Sequence, residues 1–148
     1  MAMETQTRPA ADPRDIYHGY DDGQTRILHT MVLTSDMERS LRFYVDGLGM
    51  KVLSDKFESP AFKVTALFVG YRGVNEGGSI IELVEPWENK GAHRHGEGYT
   101  HICIGVADRE AMLVRLEAMG VECERRPLAV FVRDPDGYEF EIVQTRRG

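Results

Sequence analysis

Two imidazole–carboxylate pairs recur at matching places in the chain. The first half opens on Ile27-Leu28-His29-Thr30-Met31 and closes on Ile80-Ile81-Glu82-Leu83-Val84. The second opens on Thr100-His101-Ile102-Cys103-Ile104 and closes on Glu139-Phe140-Glu141-Ile142-Val143. Each half thus carries a His near its start and a Glu near its end, both among apolar, β-forming neighbours. A carboxylate in an apolar strand is costly unless a cation or strong donors answer it. Imidazole and carboxylate together suit zinc, nickel, cobalt or iron. Four such groups brought together would make a two-nitrogen, two-oxygen metal site, so the pattern points to a metalloenzyme. Glu139 is the alternative carboxylate in the last strand. Its place beside a turn reads as a solvated strand start, and Glu141 is preferred.

Hydrophobic periodicity supplies the elements that must position these groups. A strand over residues 26–33 leads into a helix capped by Thr34 or Ser35 and running through Met37, Leu41, Phe43, Tyr44 and Leu48. Gly47 and Gly49 stop it, and strands are expected over 51–57, 63–70 and 78–85. The order then repeats. A strand over 100–106 precedes a helix from Asp108 through Met112, Leu113, Leu116 and Met119 to Gly120, with strands over 121–125, 128–133 and 138–144. Asp134-Pro135-Asp136-Gly137 forms the turn into the last strand. Even the helix exits match, Gly49-Met50-Lys51-Val52 against Gly120-Val121-Glu122-Cys123. The fold class expected is α+β: two paired βαβββ modules, 26–86 and 99–146, in one domain over 26–146 with mostly antiparallel, curved sheets. Residues 1–25 are expected to form a mobile arm, and the polar, Gly-rich stretch between the modules a linker.

Residues two apart on a strand share a face. His29 therefore points with Ile27, Met31 and Leu33, and Glu82 with Ile80 and Val84. His101 points with Cys103, and Glu141 with Glu139 and Val143. Sheets curled into a trough would make these faces its floor, with apolar neighbours keeping water sparse around a metal ion.

Composition narrows the function classes. The 148 residues carry 18 Lys and Arg against 24 Asp and Glu, a net charge of −6 that argues against nucleic acid as a partner. No apolar run is long enough to span a membrane, and the N-terminus has no signal-like apolar segment, so a cytoplasmic protein is expected. Two cysteines, Cys103 and Cys123, do not make a disulfide framework.

Several stretches together resemble glyoxalase I (lactoylglutathione lyase), within the vicinal-oxygen-chelate superfamily of paired βαβββ modules. They are His29-Thr30-Met31, Arg39-Ser40-Leu41-Arg42-Phe43-Tyr44, Leu48-Gly49-Met50, Leu67-Phe68-Val69-Gly70-Tyr71, Ile81-Glu82-Leu83, His101-Ile102 and Asp134-Pro135-Asp136-Gly137-Tyr138. The resemblance implies metal ligands at His29, Glu82, His101 and Glu141. It implies a homodimer whose two sites lie between subunits, with one divalent ion per site, nickel or cobalt before zinc. The reaction it implies is isomerisation of the hemithioacetal of a 2-oxoaldehyde such as methylglyoxal and a thiol. Glu141 would carry the proton from C1 to C2, and Glu82 would be the opposing carboxylate.

Three departures from that family fall in the thiol-binding region. An Arg four residues after the first His is replaced by Leu33, and an Asn four residues after the first Glu by Pro86. The Gly- and Lys-bearing loop before the last strands is largely missing, the chain running from Glu124-Arg125-Arg126-Pro127 into Leu128-Ala129-Val130-Phe131. Charge-assisted grips are worth about 1–3 kcal/mol each. Glutathione would therefore be held weakly unless Arg125, Arg126, Arg39 or Arg72 substitutes, and another thiol is equally open. The alternatives are another metal-dependent reaction of the superfamily on a small molecule (an epimerase, isomerase or dioxygenase) or a sequestering protein, which the His/Glu set disfavours. His93 and His95 read as part of a solvated loop or lid rather than as ligands. Cys103 reads as a small buried side chain. Trp87 reads as a ligand-stacking or dimer-packing residue.

Overall fold

Both halves fold through the same sequence of elements in the computed structural model, which describes Tyr17, Gly23 and residues 25–88, 90–91 and 93–145. The arm expected over residues 1–25 lies almost wholly outside these. The first module runs β1 (His29–Leu33), α1 (Met37–Leu41) with a π-helical continuation (Arg42–Gly47), and β2 (Lys51–Val52). It is completed by β3 (Phe57–Ser59), β4 (Val64–Gly70), a 3₁₀ turn (Val74–Glu76) and β5 (Ile80–Pro86). The second runs β6 (His101–Val106), α2 (Arg109–Ala118), β7 (Cys123–Arg125), β8 (Val130–Arg133) and β9 (Glu139–Gln144). The sheet orders are β1-β5-β4-β2, with β3 also on β4, and β6-β9-β8-β7. In each sheet the module's first strand pairs parallel with its last, and the remaining pairs are antiparallel. Among the described residues no helix is long and apolar enough to cross a membrane.

Two local expectations are corrected. The first helix is capped by Asp36, whose carboxylate accepts the Arg39 amide at 3.0 Å, and not by Thr34 or Ser35. The Thr34 hydroxyl is buried instead against Ser40 Oγ at 2.6 Å, and Ser35 is drawn across to Asp136. The single strand expected over 51–57 is split into β2 and β3. Between them the Ser54 hydroxyl accepts the Phe68 amide at 3.0 Å, a side chain taking the place of a ladder partner on β4. The second helix starts where its sequence places it, with Asp108 accepting the Ala111 amide at 3.0 Å.

The widened π turn puts two consecutive aromatic residues, Phe43 and Tyr44, into the core side by side. Gly47 closes the turn against α2, where a Cβ would lie 2.7 Å from Leu116 Cδ2, so any larger residue would have to displace that buried side chain. One hydrophobic core joins the modules: Val32, Leu67, Leu83 and Tyr44 from the first meet Ile104, Leu113, Phe140 and Ile142 from the second. The helices cover this face of both sheets.

A polar tie crosses the core. Tyr44 donates its hydroxyl to Asp134 Oδ2 at 2.7 Å, and Asp134 Oδ1 accepts the Asp136 and Tyr138 amides at 2.9 Å each. The Leu33 amide in turn donates to the Tyr138 hydroxyl at 3.2 Å, so the Asp-Pro-Asp-Gly turn holds the end of β1. Burial pushes the Asp134 carboxyl above its ordinary value, opposed by these three donors, Tyr44 first. Because the folded-state pKa is raised, ionising Asp134 costs folding free energy. That cost is absent below the unfolded pKa and complete above the folded one. Tyr44→Phe removes a donor from the buried carboxylate and should lower the unfolding free energy at neutral pH by about 1–3 kcal/mol. Urea titrations should show that deficit shrinking as pH falls and Asp134 protonates; a pH-independent deficit would mean the loss is one of packing alone.

Candidate metal centre

Register, more than proximity in sequence, assembles each pair. On the parallel strands β1 and β5, His29 stands opposite Ile80 and Met31 opposite Glu82, which leaves His29 and Glu82 diagonal on one face. Their Nε2 and Oε2 atoms lie 3.1 Å apart. On β6 and β9 the same offset recurs, with His101 opposite Glu139 and Cys103 opposite Glu141, and the His101 Nε2–Glu141 Oε2 distance is again 3.1 Å. Glu139 instead meets Arg133 at 3.4 Å, so Glu141 is the carboxylate that reaches the imidazole.

The surroundings repeat as well. Phe68 on β4 is the register partner of Glu82, and its ring stands edge-on to His29 with centroids 5.8 Å apart. Phe131 on β8 is the register partner of Glu141 and stands edge-on to His101 at 5.6 Å. Each imidazole also has a hydroxyl on its other nitrogen: Tyr17 Oη lies 2.5 Å from His29 Nδ1, and Thr100 Oγ1 lies 3.0 Å from His101 Nδ1. A partner at Nδ1 fixes the ring's orientation and leaves Nε2 for a ligand role. The sequence contained a usable signal for the two phenylalanines, each two strands from its His at the same repeat position. None announced Tyr17.

Within one chain the two pairs stand apart: among the described residues, no group of three or more His, Cys, Asp or Glu side chains is placed to hold a metal ion. One expectation about the site is corrected in part. The faces that carry the pairs are dry only in part: Ile80 and Val84, beside Glu82, are buried, whereas the residues beside the two imidazoles are not. Ile27 is 74% exposed and Met31 50% exposed, and Cys103, expected to be buried, is also exposed. The reason is the strand alternation itself. Val32, Leu83, Ile104 and Ile142 point to the helix-covered core, so their neighbours on β1, β5, β6 and β9 point to the other face, which the helices leave open.

Most other residues singled out in the sequence have structural partners. His95 lies 2.9 Å from the Asp136 carbonyl and packs against Tyr138 at 4.3 Å between ring centroids, on the turn before β9. His93 is the exception, its Nε2 buried with no hydrogen-bond partner among the described residues. Trp87 donates its indole N–H to Thr65 at 2.9 Å. Of the arginines, Arg125 pairs with Glu110 and Glu117, and Arg39 with Ser35 and Asp136. Arg126 lies over the Phe131 ring, 4.6 Å from its centroid. Phe131 also lines a cavity of about 580 Å³ with Arg39, Arg42, Phe43, Arg133 and Glu139.

A fold of two βαβββ halves, each with a His–Glu pair at the same register, defines a class. Residues 26–142 match the family described as the Glyoxalase/Bleomycin resistance protein/Dioxygenase superfamily, and the chain belongs to it. Within that superfamily it is closely related to the glyoxalase I-like lactoylglutathione lyases. It is 37% identical over 129 residues to the lactoylglutathione lyase of Haemophilus influenzae, covering 82% of this chain and 93% of that one. A probable lactoylglutathione lyase of Vibrio cholerae is 38% identical over 130 residues, with 82% and 92% covered. Among solved structures, the trypanothione-dependent glyoxalase I of Leishmania major superposes with a TM-score of 0.74 at 35% identity, covering 82% of this chain and 87% of that chain.

The geometry separates the two carboxylates of β9. Glu141→Gln should weaken binding of added cobalt by at least about tenfold, whereas Glu139→Gln should leave it within about threefold of the parent. Titration calorimetry on protein stripped of metal checks this, and equal losses in the two variants would contradict the assignment.

Proposed function

We propose that the protein is a metal-dependent isomerase of the glyoxalase I type. It would convert the hemithioacetal of a 2-oxoaldehyde and a thiol to a 2-hydroxyacyl thioester. The observation that carries this reading is the repeated His–Glu pair, at the same register offset and the same 3.1 Å distance in both modules, each on the sheet face that the helices leave uncovered. In a homodimer, His29 and Glu82 of one subunit would meet the second pair, His101 and Glu141, of the other. Such a donor set of two imidazoles and two carboxylates fits nickel, cobalt or zinc. When bound, the ion would supply Lewis-acid polarisation of the substrate's two oxygens.

The chain's own residues account for the rest. The Glu141 carboxylate accepts the proton from C1 as that C–H bond breaks and its electron pair passes into the enediolate. The same carboxylate returns the proton to C2, so the C2–H bond forms and no oxidant or reductant is consumed. Glu82, on the opposite side, handles the hydroxyl proton that moves between the two oxygens. Two carboxylates flanking a planar intermediate suit such a shuttle. Phe68 and Phe131 stand edge-on to the two imidazoles and give each pair an apolar wall.

The thiol is the open specificity. Leu33 and Pro86 stand where the family holds glutathione with Arg and Asn. A glyoxalase I that uses trypanothione is 35% identical to this chain. In the cavity that Phe131 lines, Arg42 is the positive group offered to a thiol's anionic end, since Arg133 is paired with Glu139 and Arg126, over Phe131, with Glu124.

Thioester formation from methylglyoxal, followed by ultraviolet absorbance with glutathione and then with trypanothione, tests the proposal on protein reloaded with nickel, cobalt or zinc. Turnover should fall at least about 10²-fold in Glu141→Gln. A protein that holds one ion per subunit yet forms no thioester with either thiol would contradict the reaction assigned.

A further inference from the structure

Tyr17 lies outside residues 26–142, the span that matches the superfamily, and twelve positions before His29. Its side chain nonetheless makes three contacts around the first His–Glu pair. The hydroxyl lies 2.5 Å from His29 Nδ1, the ring stacks on the imidazole at 6.1 Å with planes 21° apart, and it stands edge-on to Phe68 at 6.0 Å. With Leu28 and Phe57 it packs against the small apolar cluster of Phe68, Val74 and Ile80 on that side of the first sheet. The second His has a hydroxyl in the same role, but from Thr100, its immediate neighbour in the chain. The first module therefore takes from a distant N-terminal residue what the second takes from its own strand.

We propose that Tyr17 is the positioning residue for His29, and that its hydroxyl serves both states of that imidazole by reversing its hydrogen bond. A carboxylate only accepts, so in the metal-free chain the 3.1 Å approach of His29 Nε2 to Glu82 places the ring's N–H on Nε2. Nδ1 is then an acceptor, and Tyr17 donates to it. When Nε2 becomes a ligand, the single N–H of the neutral ring must sit on Nδ1, and the same phenol accepts it. A carbonyl or an ammonium could satisfy only one of these states; a hydroxyl satisfies both.

The loaded-state half of this inference rests on His29 being a ligand; the metal-free half does not, and the test keeps them apart. Nitrogen-15 correlation spectra of the imidazoles would be recorded on the full chain, metal-free and zinc-loaded, for the parent, Tyr17→Phe and Thr100→Val. In the parent, the His29 N–H should move from Nε2 to Nδ1 on zinc binding. Tyr17→Phe keeps the ring contacts and should mix the two His29 tautomers in the metal-free chain, leave His101 unchanged, and weaken zinc by about 10-fold or more. Thr100→Val should do the reverse, perturbing His101 alone. If Tyr17→Phe leaves both the His29 tautomer and the zinc affinity as in the parent, the proposal is overturned. If the parent binds no zinc while Tyr17→Phe still mixes the His29 tautomers, the ligand reading fails and the positioning of His29 stands.

Discussion

In a parallel strand pair, a His on one strand and a Glu two register positions further along the other fall on the same face at the reach of one hydrogen bond. Slipping either strand by one residue would send the two side chains to opposite faces of the sheet. The β1–β5 and β6–β9 pairings both satisfy this condition, with the same offset and the same 3.1 Å contact. Everything else in each half maintains it. The inward residues of those strands are locked into a core shared by both modules, and the helices press on that face. Tyr44, Asp134 and Tyr138 tie the end of β1 to the turn that starts β9. A slip of β1 or β5 would expose Val32 or Leu83, and a slip of β6 or β9 would expose Ile104 or Ile142, so the hydrophobic core guards the register of each His–Glu pair.

The same constraint explains why both His–Glu pairs sit on sheet faces that the helices do not cover. Alternation that buries one set of residues presents the other set outward, and here the outward set contains His29, Met31, Cys103 and Glu141. The exposure of Ile27 and Met31 beside His29 supports the proposed pairing of this face with a second copy.

Much of this was legible in the residues. The repeat of His, helix, Gly and Glu located both modules and both pairs, because those residues have strong local preferences or stand out chemically within apolar strands. The Asp108 cap was readable because one capping residue precedes an unbroken apolar period. At the first helix three capping residues, Thr34, Ser35 and Asp36, stand in a row, and tertiary contacts to Ser40 and Asp136 decided which of them capped. The π turn at Arg42–Gly47 has no local signature and arises from seating Phe43 and Tyr44 together. The openness of the ligand faces was illegible for a similar reason, since period-2 patterning says which residues share a face but not what covers it. Tyr17 was hidden because its role is set by a long-range contact from a segment with no periodicity.

The account's central claim is that each complete site takes His29 and Glu82 from one subunit and His101 and Glu141 from another. Mixing His29→Ala with His101→Ala protein under subunit exchange tests it most directly. Each variant alone should bind metal poorly and be inactive, whereas a one-to-one mixture should recover about a quarter of the parent's tight metal binding and turnover. Random pairing makes half the dimers mixed, and each mixed dimer contains one intact site of two. A mixture no better than its components, with exchange confirmed, would contradict the shared site.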